Sequence, residues 1–212
     1  MRRILFAFII TTGTMLATSV TYNFEDQPDT SGGALTSITE NSGGLTMTVT
    51  RQGGAVFDIA NLSADIPSTT NWGHSTLSPF ADTSANAFIF TFSKAISSFS
   101  VQLGDFDADF DTETLTAYSG ANGTGSVLAV GTGTWGNGDI SINPPGTDSV
   151  AANGIFSVLV IGGSPAFPNS LYYDNVTVNT SGTITPEPAS VSLLLGGLGI
   201  AGLALRRRLT RG

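Results

Sequence analysis

Apolar residues recur at every second position along much of this chain. Leu45, Met47 and Val49 alternate with threonines, Phe88, Phe90 and Phe92 share one parity, and Phe99, Val101 and Leu103 share another. A period of two puts such residues on one face of an extended strand. The pattern predicts strands at 20–24, 45–51, 55–59, 87–92, 99–103, 115–118, 127–130, 155–161 and 171–178. Turn formers separate them, among them Gly53-Gly54, Asn122-Gly123 and Asn137-Gly138. The stretch 61–79 is the longest expected loop. The middle of the chain shows no helical period and no internal repeat. The expected fold class is all-β, an antiparallel β-sandwich.

The two ends read differently. Met1-Arg2-Arg3 is followed by a mostly apolar stretch, and Ala17 and Ser19 are small residues two apart. That is the pattern of a secretory signal peptide over residues 1–19. At the other end, 181–188 forms a linker containing Pro186, Glu187 and Pro188. It is followed by 17 uncharged residues, 189–205, and then by Arg206, Arg207 and Arg208 in a basic tail, 206–212. As a helix, 189–205 would be about 25 Å long, against a hydrocarbon core of about 30 Å. Snorkelling arginines make up part of the deficit. Basic flanks stay cytoplasmic, so 189–205 is expected to be a transmembrane helix with everything before it outside. Each proline lacks an N–H and extends the residue before it. The motif is therefore kept out of the helix, within reach of an enzyme.

Pro186-Glu187-Pro188, the apolar run and the terminal arginines together resemble the PEP-CTERM sorting signal of bacteria. In that family the signal is recognised by exosortase, a membrane-embedded enzyme resembling cysteine transpeptidases. The resemblance implies export through the Sec translocon, cleavage by signal peptidase, and a precursor anchored in the inner membrane. The mature protein would then stand at the cell surface or in an extracellular, biofilm-type matrix. The middle of the chain, 20–180, resembles the jelly-roll domains of such proteins, which are related to carbohydrate-binding modules. Tyr22-Asn23-Phe24-Glu25-Asp26, the strand 99–105 and Tyr173-Asp174-Asn175-Val176-Thr177-Val178 carry this likeness. In calcium-bearing jelly rolls an acid near the first strand and an Asp on the last share a structural ion. The resemblance places Glu25, Asp26 and Asp174 at those positions.

Charge changes the picture of the ectodomain. Between residues 20 and 185 only Arg51 and Lys94 are basic against fifteen acidic residues, a net charge of −13. Such a field repels nucleic acid and attracts divalent cations. It also serves solubility with no ligand at all. Asp105, Asp107, Asp109, Asp111 and Glu113 fall at alternate positions and would share one face of a strand. Ca²⁺ prefers such oxygen ligands. The spacing is not that of an EF-hand, because Phe110 stands where the loop needs Gly and Thr116 where it needs Glu. Two readings stay open for the run: a loop Ca²⁺ site using part of it, or a solvated acidic edge that discourages sheet-edge pairing.

The chain has no cysteine, which removes disulfides and thiolate chemistry. Trp72, Trp135, Tyr118, Tyr172 and Tyr173 are candidates for a sugar platform or for the core. His74 is the only histidine, and no nucleophile elbow, phosphate loop or zinc spacing accompanies it. The expectation is a non-catalytic surface or matrix protein that binds extracellular polysaccharide or scaffolds the matrix. The alternatives are a carbohydrate-active enzyme on a jelly-roll scaffold and a structural element stiffened by Ca²⁺.

Overall fold

The computed structural model describes residues 17–30, 35–62, 72–79, 85–106, 109–136 and 144–180. Ala17–Ser181 forms one compact unit. Most of the signal peptide, the linker with its motif, the segment 189–205, the basic tail and the Asn137-Gly138 turn lie outside the described residues. Among the described residues no helix is long and apolar enough to cross a membrane.

Ten strands are described, every pairing among them antiparallel. They are β1 (Ser19–Tyr22), β2 (Ser37–Ser42), β3 (Leu45–Arg51), β4 (Asp58–Asn61), β5 (Ser75–Ser78) and β6 (Phe88–Gly104). The remaining four are β7 (Asp111–Tyr118), β8 (Val127–Trp135), β9 (Gly146–Gly163) and β10 (Tyr172–Thr180). The only helical pieces among the described residues are two short 3₁₀ turns, at Gln52–Gly54 and Ala121–Gly123. Both fall on expected turn signals, and Gly53, Asn122 and Gly123 there take the left-handed φ that a side chain disfavours.

The main path runs β4-β5-β10-β6-β9-β7-β8, with β1 added to β10 and the β2–β3 hairpin added to β6. The two long strands hold the fold together. The first part of β6 pairs with β3 through Phe88 to Phe92, and the last part pairs with β10 through Ile96 to Gly104. Strand β9 follows β6 along its length, with register shifts around Ile96. Gly154 on β9, at φ 84, supplies the left-handed residue near that irregularity. The shift explains the parity change noted above. Phe88, Phe90 and Phe92 are even-numbered and Phe99, Val101 and Leu103 odd-numbered, yet all are buried. What read as two strands is one strand that changes phase so that both parts keep their apolar face inward.

The two parts then face each other. Phe90 meets Phe99 at 5.2 Å between ring centroids, Phe92 meets Phe99 at 6.2 Å, and Phe88 meets Tyr173 edge-on at 5.5 Å. Each such ring contributes about 1.5–3 kcal/mol through burial, with about 0.5–1.5 kcal/mol more from ring geometry. The result is the expected all-β sandwich. Strands β2 and β5 were not expected. Both are short and rich in Ser and Thr, and β5 lies inside the stretch read as loop.

Candidate cation sites and the sorting motif

Glu25 and Asp174 come together. Phe24, buried and at φ 55, turns the chain after β1 so that Glu25 follows it out of the core. Asp174 lies on β10 where the pairing with β6 shifts register. The segment entering β5 passes between them. Asp174 accepts the Gly73 N–H at 2.8 Å through Oδ2 and the Asn175 N–H at 2.7 Å through Oδ1. The Asn175 side-chain amide adds a contact at 3.3 Å. Glu25 Oε1 accepts the His74 N–H at 2.6 Å and the Ser75 N–H at 3.3 Å. A Cβ at position 73 would strike Glu25 Oε1 and lie 2.7 Å from Asp174 Oδ2, so both carboxylates press on one glycine. Asp174 is fully buried, and its pKa is pushed up to about 7, first by burial and then by the Glu25 charge, against the pull of the two backbone N–H groups. Asp26 is exposed and lies against Glu40 rather than Asp174.

The acidic run does not form one strand face. Asp105 follows the end of β6 and Asp111 opens β7, so the run is divided between different strands. Asp105, Asp109 and Asp111 each bring a carboxylate oxygen to within 4.8 Å of the others. The Phe106 N–H donates to Asp105 at 2.6 Å, and Ser170 Oγ lies 3.5 Å from Asp111 Oδ1. Asp107 lies outside the described residues. The solvated-edge reading is corrected for the end of the run. Strand β7 lies between β8 and β9, and Asp111 and Glu113 are buried.

Three residues matter here that spacing alone did not bring together. Glu113 is 1% exposed and its pKa is pushed up to about 10, by burial foremost and then by Asp148. Tyr173, also fully buried, is pushed well above its ordinary value by burial, then by Glu113 and Asp111. Asp148 attracts no notice in the sequence. The available signal was the pair of glycines, Gly133 and Gly162, that flank Glu113 on the neighbouring strands.

The sugar platform is also corrected. Trp72 and Trp135 are buried, at 5% and 1%, so neither presents a ring face to a ligand. Tyr173 is in the core, while Tyr118 and Tyr172 are half-buried. His74 is exposed, and its backbone N–H serves Glu25.

Among solved structures, the chain is similar to the K1 cleaved adhesin domain of Lys-gingipain from Porphyromonas gingivalis W83. The identity is 15% and the TM-score 0.34, over 78% of this chain and 99% of that one. No curated protein matches. At the C-terminal end, residues 185–208 match the family model of the PEP-CTERM protein-sorting motif. Pro186, Glu187, Pro188 and the arginines Arg206, Arg207 and Arg208 all fall inside that match, so this chain carries a PEP-CTERM sorting signal.

Proposed function

We propose that this chain is an exported, non-catalytic surface protein whose tail is read by exosortase and whose acidic sandwich is displayed outside the cell. The sorting motif at residues 185–208 carries the reading. The Sec translocon and signal peptidase handle the N-terminal end, and 189–205 holds the precursor in the inner membrane until processing. Ca²⁺ stiffens the displayed domain, with Glu25 and Asp174 clamping the chain after β1 to β10 and with Asp105, Asp109 and Asp111 gathering a second ion. These are hard oxygen ligands, the type Ca²⁺ takes. Matrix scaffolding suits the domain better than glycan binding, because Trp72 and Trp135 are spent on the core.

The test replaces Pro186, Glu187 and Pro188 by alanine in the native host. The altered protein should accumulate as full-length precursor in the membrane fraction, while the wild type appears shortened at the surface or in the medium. Normal shortening and normal placement of the altered protein would refute the sorting reading.

A further inference from the structure

Glu113 sits in the middle of β7, and its partner on each neighbouring strand is a glycine, Gly133 on β8 and Gly162 on β9. The room those glycines leave is filled from elsewhere. A Cβ on Gly133 would collide with the Asp148 carboxylate. A Cβ on Gly162 would lie 3.0 Å from the Tyr173 hydroxyl and 3.3 Å from Glu113 Cβ. Asp148 belongs to the part of β9 that pairs with Val101, and Tyr173 is paired with Leu103 across β10 and β6. Glu113 therefore meets groups from the opposite half of the sandwich.

Four oxygens at this meeting point are buried and face no hydrogen-bond donor from the rest of the described residues: Glu113 Oε1, Glu113 Oε2, Asp148 Oδ2 and the Tyr173 hydroxyl. Leaving such atoms unmatched is costly, and more so for a carboxylate. The positive charge felt by Tyr173 is that of Arg51. Its guanidinium is committed to the backbone carbonyls of Val56, Pro79 and Asn86. Asp111 adds a further negative charge near the Tyr173 hydroxyl. Glu113 and Asp148 are close enough to share a proton. One proton, however, joins one oxygen of each and leaves the second Glu113 oxygen and the phenol unmatched. An oxygen-binding cation, which takes its ligands at about 2.3–2.6 Å, would match these oxygens and neutralise both carboxylates.

We propose that Glu113, Asp148 and Tyr173 form a buried divalent-cation site between the two halves of the sandwich, distinct from the Glu25–Asp174 clamp and suited to Ca²⁺. The two carboxylates supply the charged oxygens and Tyr173 a neutral one. The phenol is the observation that separates this place from a mere cluster of acids, since it is fully buried, without a hydrogen-bond partner, and set beside Glu113 against the same Gly162. The inference does not depend on the sorting reading.

The test uses the full chain purified in detergent and stripped with EDTA, then titrated with Tb³⁺ while the aromatic residues are excited. Tyr173 and the nearby core tryptophans should sensitise Tb³⁺ emission, and Ca²⁺ should compete it away. The titration is made in a Glu25→Gln/Asp109→Asn/Asp174→Asn background, which removes the other two proposed ions and should keep the signal. In that background Glu113→Gln and Asp148→Asn should each weaken the sensitised binding at least tenfold, and Tyr173→Phe several-fold. Cooperative melting in EDTA establishes that each variant folds, and Tyr173→Phe, which keeps the ring in the core, serves if the carboxylate variants do not. Unchanged Tb³⁺ binding in Tyr173→Phe and in whichever carboxylate variants fold overturns the proposal. So does a Glu113→Gln protein that melts like the wild type in both EDTA and Ca²⁺, which is the outcome of a shared proton.

Discussion

Asp174→Asn should stabilise the stripped protein at pH 8 and cease to do so near pH 5. The carboxyl ordinarily titrates at 3.8 and here at about 7, because it is fully buried. Keeping it ionised in the folded state therefore costs about 4 kcal/mol, at 1.36 kcal/mol for each pH unit. Because the folded pKa is raised, the protonated form stabilises the fold. That contribution is complete below pH 4 and is lost as pH rises towards 7. Asparagine is the neutral isostere. It keeps one acceptor for the Gly73 and Asn175 N–H groups and gives up the other, a loss of about 1–2 kcal/mol. The net gain is about 2 kcal/mol at pH 8, or roughly 4–8 °C in melting temperature for a domain of this size. Near pH 5 the wild type has recovered most of the difference and the two proteins should melt together. Ca²⁺ bound at Glu25 and Asp174 reverses the ranking in another way. At a concentration one hundred times its Kd it adds about 2.7 kcal/mol to the wild type only. The assay is thermal denaturation followed by circular dichroism, in EDTA and in Ca²⁺, at both pH values. A variant that is destabilised by the same amount at pH 5 and pH 8 would show that Asp174 acts through its hydrogen bonds alone, and the desolvation argument would fail. A wild-type advantage that Ca²⁺ does not enlarge would remove the clamp.

Three further outcomes can be checked on the same instruments. Phe99→Ala removes the ring that joins Phe90 and Phe92 across the two halves, and should cost about 3–5 kcal/mol in urea denaturation. Arg51→Met takes the guanidinium donor from the Val56 and Pro79 carbonyls and leaves the Asn86 carbonyl with the Asn169 amide. It should cost about 2–4 kcal/mol with no dependence on Ca²⁺, so a near-neutral result would mean those carbonyls find other donors. Gly133→Ala forces the Asp148 carboxylate aside and should cost about 1–3 kcal/mol. It should also remove the Glu113-dependent part of the sensitised Tb³⁺ signal while leaving the response to Ca²⁺ at Asp174 intact.

Alternation made most of the sheet legible. Leu45–Arg51 was read to the residue, and the phenylalanines of β6 were placed on the core side because their spacing allows no other face. The joining of 87–92 to 99–103 into one strand was not legible. A register shift inverts the parity that strand reading depends on, and only the partner strand β9, with Gly154, shows that the chain continues. Strands β2 and β5 escaped for another reason. Glu40, Ser75 and Thr76 are buried polar residues, and a pattern drawn from apolar positions cannot see them. The convergence of Glu25 with Asp174 came from family likeness, whereas the role of Gly73 and the segment 73–75 as donors required the fold. Trp72 and Trp135 misled because glycine- and asparagine-rich flanks suggest exposure, while the rings themselves are large enough to be drawn into the core.

The charge of the ectodomain takes on a different meaning once its acids are placed. Acidic residues are seldom buried unless they are paired, and a net charge of −13 read from composition suggests a solvated surface. Yet six of the eleven acidic residues among the described residues are buried: Glu40, Asp58, Asp105, Asp111, Glu113 and Asp174. Solubility does not account for those six, since a buried carboxylate contributes nothing to hydration and costs free energy to keep ionised. The basic side chains are few and have other partners. Arg51 is directed at carbonyl oxygens, and Lys94 donates to the Gly44 carbonyl at 3.0 Å. Backbone N–H groups neutralise part of the cost at Asp174 and Asp105, but Glu113 has no such help. A protein destined for the outside meets millimolar divalent cations only after export. On the proposed reading that the buried carboxylates take up those ions, the sandwich would complete its stability where it is displayed, which ties the acidic interior to the sorting signal at the other end of the chain.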